Sequence, residues 1–173
     1  MIAMPLRTTM LRTELLTSLD PGSLVVVAPD VVMLVGTVIA RNGKHATCVV
    51  PLNGGSAFRA RFPREESALM IGSITSQNAN ERCELLITAR GPLARPEEVQ
   101  DLALGSIAMS AVGPLIAVSE PPPREDHITF ISLVNGRDIE TFPDAWKVLY
   151  LTAWQLFVQY PLAREAALLA SRD

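Results

Sequence analysis

The chain is short of nearly everything that marks a catalytic or metal-binding surface. Histidine occurs twice in 173 residues, at His45 and His127, and cysteine twice, at Cys48 and Cys83. No Cys or His pair has zinc-ligand spacing, and His-Glu-x-x-His, paired Cys-x-x-Cys and calcium-loop patterns are absent. Two cysteines cannot staple a fold, and a bridge between them requires Cα atoms within ~7 Å. The glycine-rich "LNGGS" lacks the Lys-Ser/Thr that would make it a phosphate loop. Lysine is confined to Lys44 and Lys147; the net charge is −3 and the pI near 5.4, the wrong field for general attraction to nucleic-acid backbones. The longest apolar runs, "SIAMSAVGPLIAV" and "WKVLYLTAWQLFV", fall short of the ~20 residues that span a membrane. The N-terminus has no secretory h-region. A cytoplasmic protein without cofactor, metal or membrane span is the expectation, and no internal repeat or heptad run stands out.

What the chain has is apolar mass. Hydrophobic residues make up 49%, too much for a disordered polymer. The length suits one domain, 1–173. Residues 6–19 place Leu6, Met10, Leu11, Leu15 and Leu19 at helical spacing, which predicts an N-terminal helix. Residues 23–142 read as a β-rich core with a short helix near 96–104, which opens on Pro96, Glu97 and Glu98. Three Asn-Gly pairs, at 42–43, 53–54 and 135–136, mark hairpins. A two-residue turn at the first would set Arg41 opposite Lys44 and Thr37 opposite Cys48, leaving Cys48 buried and His45 exposed. Strand 56–62 follows, with Phe58, Ala60 and Phe62 inward. Residues 68–76 and 83–90 read as a further strand pair. "SIAMSAVGPLIAV" reads as a central strand bent at Gly113-Pro114. The third Asn-Gly sets Leu133 opposite Asp138.

Residues 144–171 read as a long C-terminal helical segment, in which Pro161 either kinks the helix or starts a second one. Its first half is apolar nearly all round, so it must be covered on more than one side. Trp146, Tyr150, Trp154 and Phe157 are therefore the candidate anchors for a partner, since such aromatics are enriched at interface cores. The fold class expected is α+β: a mainly antiparallel, meandering sheet, open or closed into a small barrel, flanked by these helices.

For chemistry, His45 and His127 lack a nucleophile at readable spacing, and Cys48 and Cys83 alternate inward as buried thiols. The positive cluster Arg59, Arg61 and Arg64 is the candidate anion site, although inward Phe58 and Phe62 leave no stacking platform for bases. The run "PGSLVVV…LVGTVIARNGKHATCVVPL" resembles the strands of SH3-like barrels, including that of the MazF-type ribonuclease toxins. The helix–strand order is similar to type III secretion chaperones, acidic proteins that dimerise and bind other polypeptides. Neither resemblance carries residue roles. The expected function is non-enzymatic protein binding or assembly (adaptor, chaperone-like or structural subunit), with a protein partner or a second copy. The alternative is an SH3-like barrel that binds or cleaves RNA; a hydrolase built on His45 or His127 ranks last.

Overall fold

A computed structural model describes residues 12–27, 30–96, 103–139 and 148–173. Its strands are β1 (Arg12–Leu15), β2 (Ser23–Val27), β3 (Val31–Ile39), β4 (His45–Pro51), β5 (Ser67–Ser73), β6 (Glu84–Ala89) and β7 (Leu93–Ala94). They continue with β8 (Ile107–Ser110), β9 (Gly113–Ser119), β10 (Ile128–Ser132), β11 (Leu149–Leu151), β12 (Trp154–Gln159) and β13 (Ala167–Arg172). Every ladder is antiparallel. They form three sheets, in the orders β1-β5-β2-β3-β4, β10-β9-β8-β11-β7 and β13-β12-β6.

The fold is therefore nearly all β, which corrects the α+β expectation. Among the described residues strands make up 51%, and no helix reaches seven residues. Of the expected N-terminal helix, 6–11 lie outside the described residues, 12–15 form β1 and 16–18 a single 3-10 turn. Pairing with β5 overrides the weak helical periodicity, and among the described residues 12–19 Leu16 and Leu19 are buried while Leu15 is exposed. Of the short helix near 96–104, residues 97–102 lie outside the described residues, and Ala103–Ser106 is a turn.

The C-terminal helical segment does not exist either: 149–151, 154–159 and 167–172 are strands, and 144–147 lie outside the described residues. Tyr150, Trp154, Leu156, Val158 and Tyr160 are buried, while Gln155, Phe157 and Gln159 are half-exposed. This is a period of two, hidden in the sequence because half-exposed Phe157 made the outward positions look apolar too.

The two five-stranded sheets share one topology. In each, a short first strand borders the fifth, the fifth borders the second, and the second, third and fourth form a meander. A sixth strand then leaves for the third sheet, β6 from the first unit and β12 from the second, and these two pair with each other. The cores match position by position. Val25 lies between Met33 and Met70, and Val35 opposite Val49. Ala108 lies between Leu115 and Tyr150, and Ala117 opposite Phe130. Each set forms its own buried cluster. The other faces of both sheets meet sheet β13-β12-β6 in one shared core containing Leu24, Leu34, Val50, Ile107, Ile116 and Ile131.

With that frame the sequence shows its duplication. Gly22-Ser23-Leu24 matches Gly105-Ser106-Ile107, both glycines at positive φ (93° and 83°) and both serines buried. "CELLIT" at 83–88 matches "WQLFVQ" at 154–159, and "PLAR" occurs at 92–95 and again at 161–164. The absence of an internal repeat, read from the sequence alone, is corrected by this alignment.

The hairpins also differ from expectation. Gly43 N–H donates to Ala40 O at 2.9 Å and Ala40 N–H to Lys44 O at 2.8 Å, which is a three-residue loop with Gly43 at φ +75°. The register shifts by one, so Ile39 faces His45 and Gly36 faces Cys48. Asn42 Oδ1 accepts the Lys44 amide, and Asn135 Oδ1 does the same for Arg137 in the second unit. There Ile131, not Leu133, lies opposite Asp138. Residues 56–62 make only isolated bridges at Arg59 and Arg61. β5 and β6 belong to different sheets, and "SIAMSAVGPLIAV" folds back as the hairpin β8–β9.

Gly136 joins the two units. A Cβ there would stand 2.5 Å from Gly22 N and 2.8 Å from Val35 O, whereas one at Gly43 meets nothing within 4 Å. Both have φ near +75°, so strain alone costs each ~1–2 kcal/mol. Gly136→Ala should therefore lose about 3 kcal/mol or more and Gly43→Ala no more than about 2, read from denaturant midpoints at unchanged slope. Equal losses would mean that the 135–138 turn is not packed as described.

Candidate functional site

Three groups of residues are candidates: the aromatic anchors, the arginine cluster, and the histidines with whatever faces them. Trp146 lies outside the described residues. Tyr150 and Trp154 are fully buried among the protein's own strands. The Trp154 indole N–H donates to Gly105 O at 2.7 Å, and its ring meets Phe58 edge-on at a centroid distance of 5.7 Å. Both side chains are thus used by the chain's own core.

Phe157 is different. On β12 it points away from the shared core, directly between Leu86 of β6 and Leu168 of β13. Leu86 is 42% and Leu168 41% exposed. The three make an apolar row straight across the sheet, bordered by Thr88, Gln155 and Ser171 on one side and Gln159 on the other. Glu84 is the single charge among the outward positions of these strands. The sequence carried the signal as period two within "CELLITA" and "WQLFVQ", but only the pairing lines the three side chains up.

The arginines do not act as a group. The Arg61 guanidinium is bonded to Glu66 and reaches Phe62 O, so a carboxylate of the same chain already engages it. Arg59 and Arg64 are exposed. Phe58 and Ala60 are buried as expected, but Phe62 is 44% exposed, which corrects its inward placement. Phe58 itself sits at φ +62°, so the chain there is not a strand and the simple alternation fails.

His127 lies in the exposed loop before β10. His45 is exposed at the start of β4, as expected, yet its Nδ1 lies 3.0 Å from Asp138 Oδ1. That carboxylate is only 1% exposed. It also accepts the Thr37 hydroxyl at 2.5 Å, and the Asp138 amide donates back to Thr37 Oγ1 at 3.2 Å. A buried carboxylate needs such partners, because an unmatched charge is expensive to desolvate. Thr37 and His45 belong to the first unit and Asp138 to the second, so the cluster is a knot between the two. It was not legible in the sequence, because its members lie about a hundred residues apart.

Cys48 and Cys83 are free and buried. Burial pushes both thiols up to about 12, helped at Cys48 by the Asp138 charge and at Cys83 by Glu84. Among the described residues no group of three or more His, Cys, Asp or Glu side chains converges as a metal site would. A cleft of about 250 Å³ lies among Ile74, Arg82, Cys83, Leu85, Leu133 and Val134. A second, of about 340 Å³, is walled by hydroxyls and by Arg12, which is already paired with Glu14 and Glu81. Among the described residues no helix is long and apolar enough to cross a membrane.

The raised thiols set a pH dependence. An unfolded cysteine releases its proton near 9, the folded ones near 12, so between these values the unfolded chain binds fewer protons. Stability should therefore fall as pH rises from 9 to 12, by roughly 1.4 kcal/mol per pH unit per thiol. Cys48→Ala with Cys83→Ala should remove that share, and neither thiol should react with a disulfide reagent at pH 8 until the protein is unfolded. Rapid modification of the native protein would contradict the burial of either.

Comparison with protein families, curated proteins and solved structures finds no match, so the reading of these sites rests on their own geometry.

Proposed function

We propose that the protein is a binding or assembly module whose contact element is the sheet β13-β12-β6, and that the partner is a second copy of the chain. The observation that carries this is the row Leu86–Phe157–Leu168, presented to water in register across three strands. Large apolar side chains lined up on one outward face are what an interface core needs, and the border of Thr88, Gln155, Ser171, Gln159 and Glu84 is polar as an interface rim is. A face with a single carboxylate, Glu84, can meet its own copy without burying like charges. Of the anchors read from the sequence, Phe157 serves this surface; Tyr150 and Trp154 do not.

Leu86→Glu with Leu168→Glu is the test. Both side chains are exposed enough for the variant to keep its strands, so circular dichroism and melting should change little. The unmodified protein should sediment as a concentration-dependent oligomer and the variant as a monomer. A monodisperse monomer for the unmodified protein at high concentration sinks the reading.

A second reading, anion or RNA binding at Arg59, Arg61 and Arg64, is favoured by one observation: the Phe62 ring is open to solvent and offers a base a stacking surface. Against it stand the Arg61–Glu66 pair and the net negative charge. If it holds, Arg59→Glu, Arg61→Glu and Arg64→Glu together abolish a salt-sensitive affinity for single-stranded RNA. Salt-insensitive or absent binding by the unmodified protein removes it.

A further inference from the structure

We infer that the outer edge of β6 is a strand-acceptor site, and that its occupant is the β6 edge of a second copy, joined antiparallel into one continuous six-stranded sheet. The inference rests on the self-association reading above and states how the two chains would join.

The edge is defined by hydrogen-bond direction. Arg90 N–H donates to Ala153 O at 2.9 Å, and the ladder runs without a shift from Trp154↔Ala89 to Gln159↔Glu84. In an antiparallel pair, donor and acceptor of one residue point to the same side. Those of Glu84, Leu86 and Thr88 therefore face β12, and those of Leu85, Ile87 and Ala89 face outward. Among the described residues nothing bonds to these outward groups.

The other sheet edges are protected in ways that edge strands usually are. β1 is four residues long and carries Arg12 and Glu14. β4 is covered in part by the Val49–Arg61 bridge, and β10 by the Ile131–Asp138 bridge. β7 is two residues long. β13 pairs across a bulge, and its Arg172 is tied to Leu104 O and Thr152 O. On β6 the only such device stops short of the strand: Cys83 N–H donates to Ser73 O at 3.0 Å in the Ser73–Arg82 bridge, and from Glu84 onward the outer edge is open among the described residues. The strand is six residues long, unbulged and free of proline, and Glu84 is its only charge.

The duplication identifies the occupant. Aligning "CELLIT" with "WQLFVQ" makes Leu86 the equivalent of Phe157, and these two residues are register partners. The β6–β12 ladder is thus already a pairing of a strand with its own repeat, antiparallel, about a local two-fold axis through that pair. That ladder uses the inner edge of β6; the outer edge offers a second copy the same alternation of donors and acceptors at Leu85, Ile87 and Ala89. Setting Ile87 opposite its copy brings Leu85 opposite Ala89 and uses every free donor and acceptor of the edge. In this register Glu84 stands opposite Arg90 of the copy and Leu86 opposite Thr88, so opposite charges meet across the joint. The two apolar rows lie on one face, offset by two residues; the joint covers the backbone edge and leaves that face open.

Ala89→Pro is the direct test. The Ala89 N–H points outward, so proline removes no ladder bond within the chain and blocks only the edge. The variant should melt like the unmodified protein while its apparent dissociation constant rises about tenfold or more. Amides of Leu85, Ile87 and Ala89 in the unmodified protein should exchange fast when dilute and slow at least about tenfold on association. If the proline variant fails to fold, the exchange measurement alone decides. Association that survives Ala89→Pro, with these amides still exchanging fast, overturns the edge joint while leaving the apolar face as the contact. If the unmodified protein does not associate at all, the parent reading falls with it. A synthetic peptide of residues 165–173 that protects these amides while the chain stays monomeric would assign the edge to a foreign strand and overturn the second-copy occupant.

Discussion

The rest of this architecture depends on the ladder between β6 and β12. Each five-stranded sheet has two apolar faces, and only one of them is closed by a cluster of its own. The inner faces would stay open if the sixth strands did not cross-pair and close the shared core with Cys83, Leu85, Ile87, Trp154, Leu156 and Val158. Neither unit holds enough chain to cover both faces of its sheet, because two-layer packing needs a second layer. The pairing of equivalents supplies that layer to both units at once. This is why Trp154 is buried while Phe157, one residue removed from two core positions, is not.

The polar contacts between units have a different job. Apolar packing is non-directional and leaves neighbouring registers close in energy. The Thr37–Asp138–His45 knot is directional: the carboxylate is satisfied only when the 135–138 turn sits against the end of β3. Thr37 N–H donates to Gly136 O at 3.1 Å, so the turn continues the β3 ladder where β2 has ended. The close approach of Gly136 to Gly22 and Gly36 to the Gly136 carbonyl then leaves no room for a side chain at either position. The knot selects one docking of the two units, and the shared core makes that docking stable.

How much of this was legible follows from where the information resides. Turn chemistry is local, so the Asn-Gly pairs correctly marked reversals at Asn42-Gly43 and Asn135-Gly136. Loop length is less local: Gly43 alone takes positive φ, and the one-residue shift moved Cys48 from opposite Thr37 to opposite Gly36. Strand periodicity was readable where the outward residues are polar, as in Glu84 and Thr88 of β6. It failed in β12, where Phe157 faces outward with Gln155 and Gln159 and the whole run looks like a greasy helix. The repeat was invisible for the same reason: its halves share topology and burial pattern, while identical residues survive only in fragments such as Pro-Leu-Ala-Arg. The apolar row and the Asp138 knot are long-range juxtapositions, which no window along the chain contains.

The duplication also explains why one edge should be left open. After the second Pro-Leu-Ala-Arg the chain turns back and lays β13 along β12. The first Pro-Leu-Ala-Arg itself holds β7, whose Leu93 and Ala94 pair with β11 in the second sheet, so the segment that would have covered β6 is committed to building the next unit. A chain made of two equivalents can satisfy the outer edge of one sixth strand by returning along it, but not that of the other without leaving its own second half unbuilt. The asymmetry is then a consequence of connectivity rather than of any change in β6 itself, whose inward residues Cys83, Leu85 and Ile87 still match Trp154, Leu156 and Val158. An edge left open by connectivity alone keeps the hydrogen-bonding geometry of a covered one, and that is the geometry another strand requires.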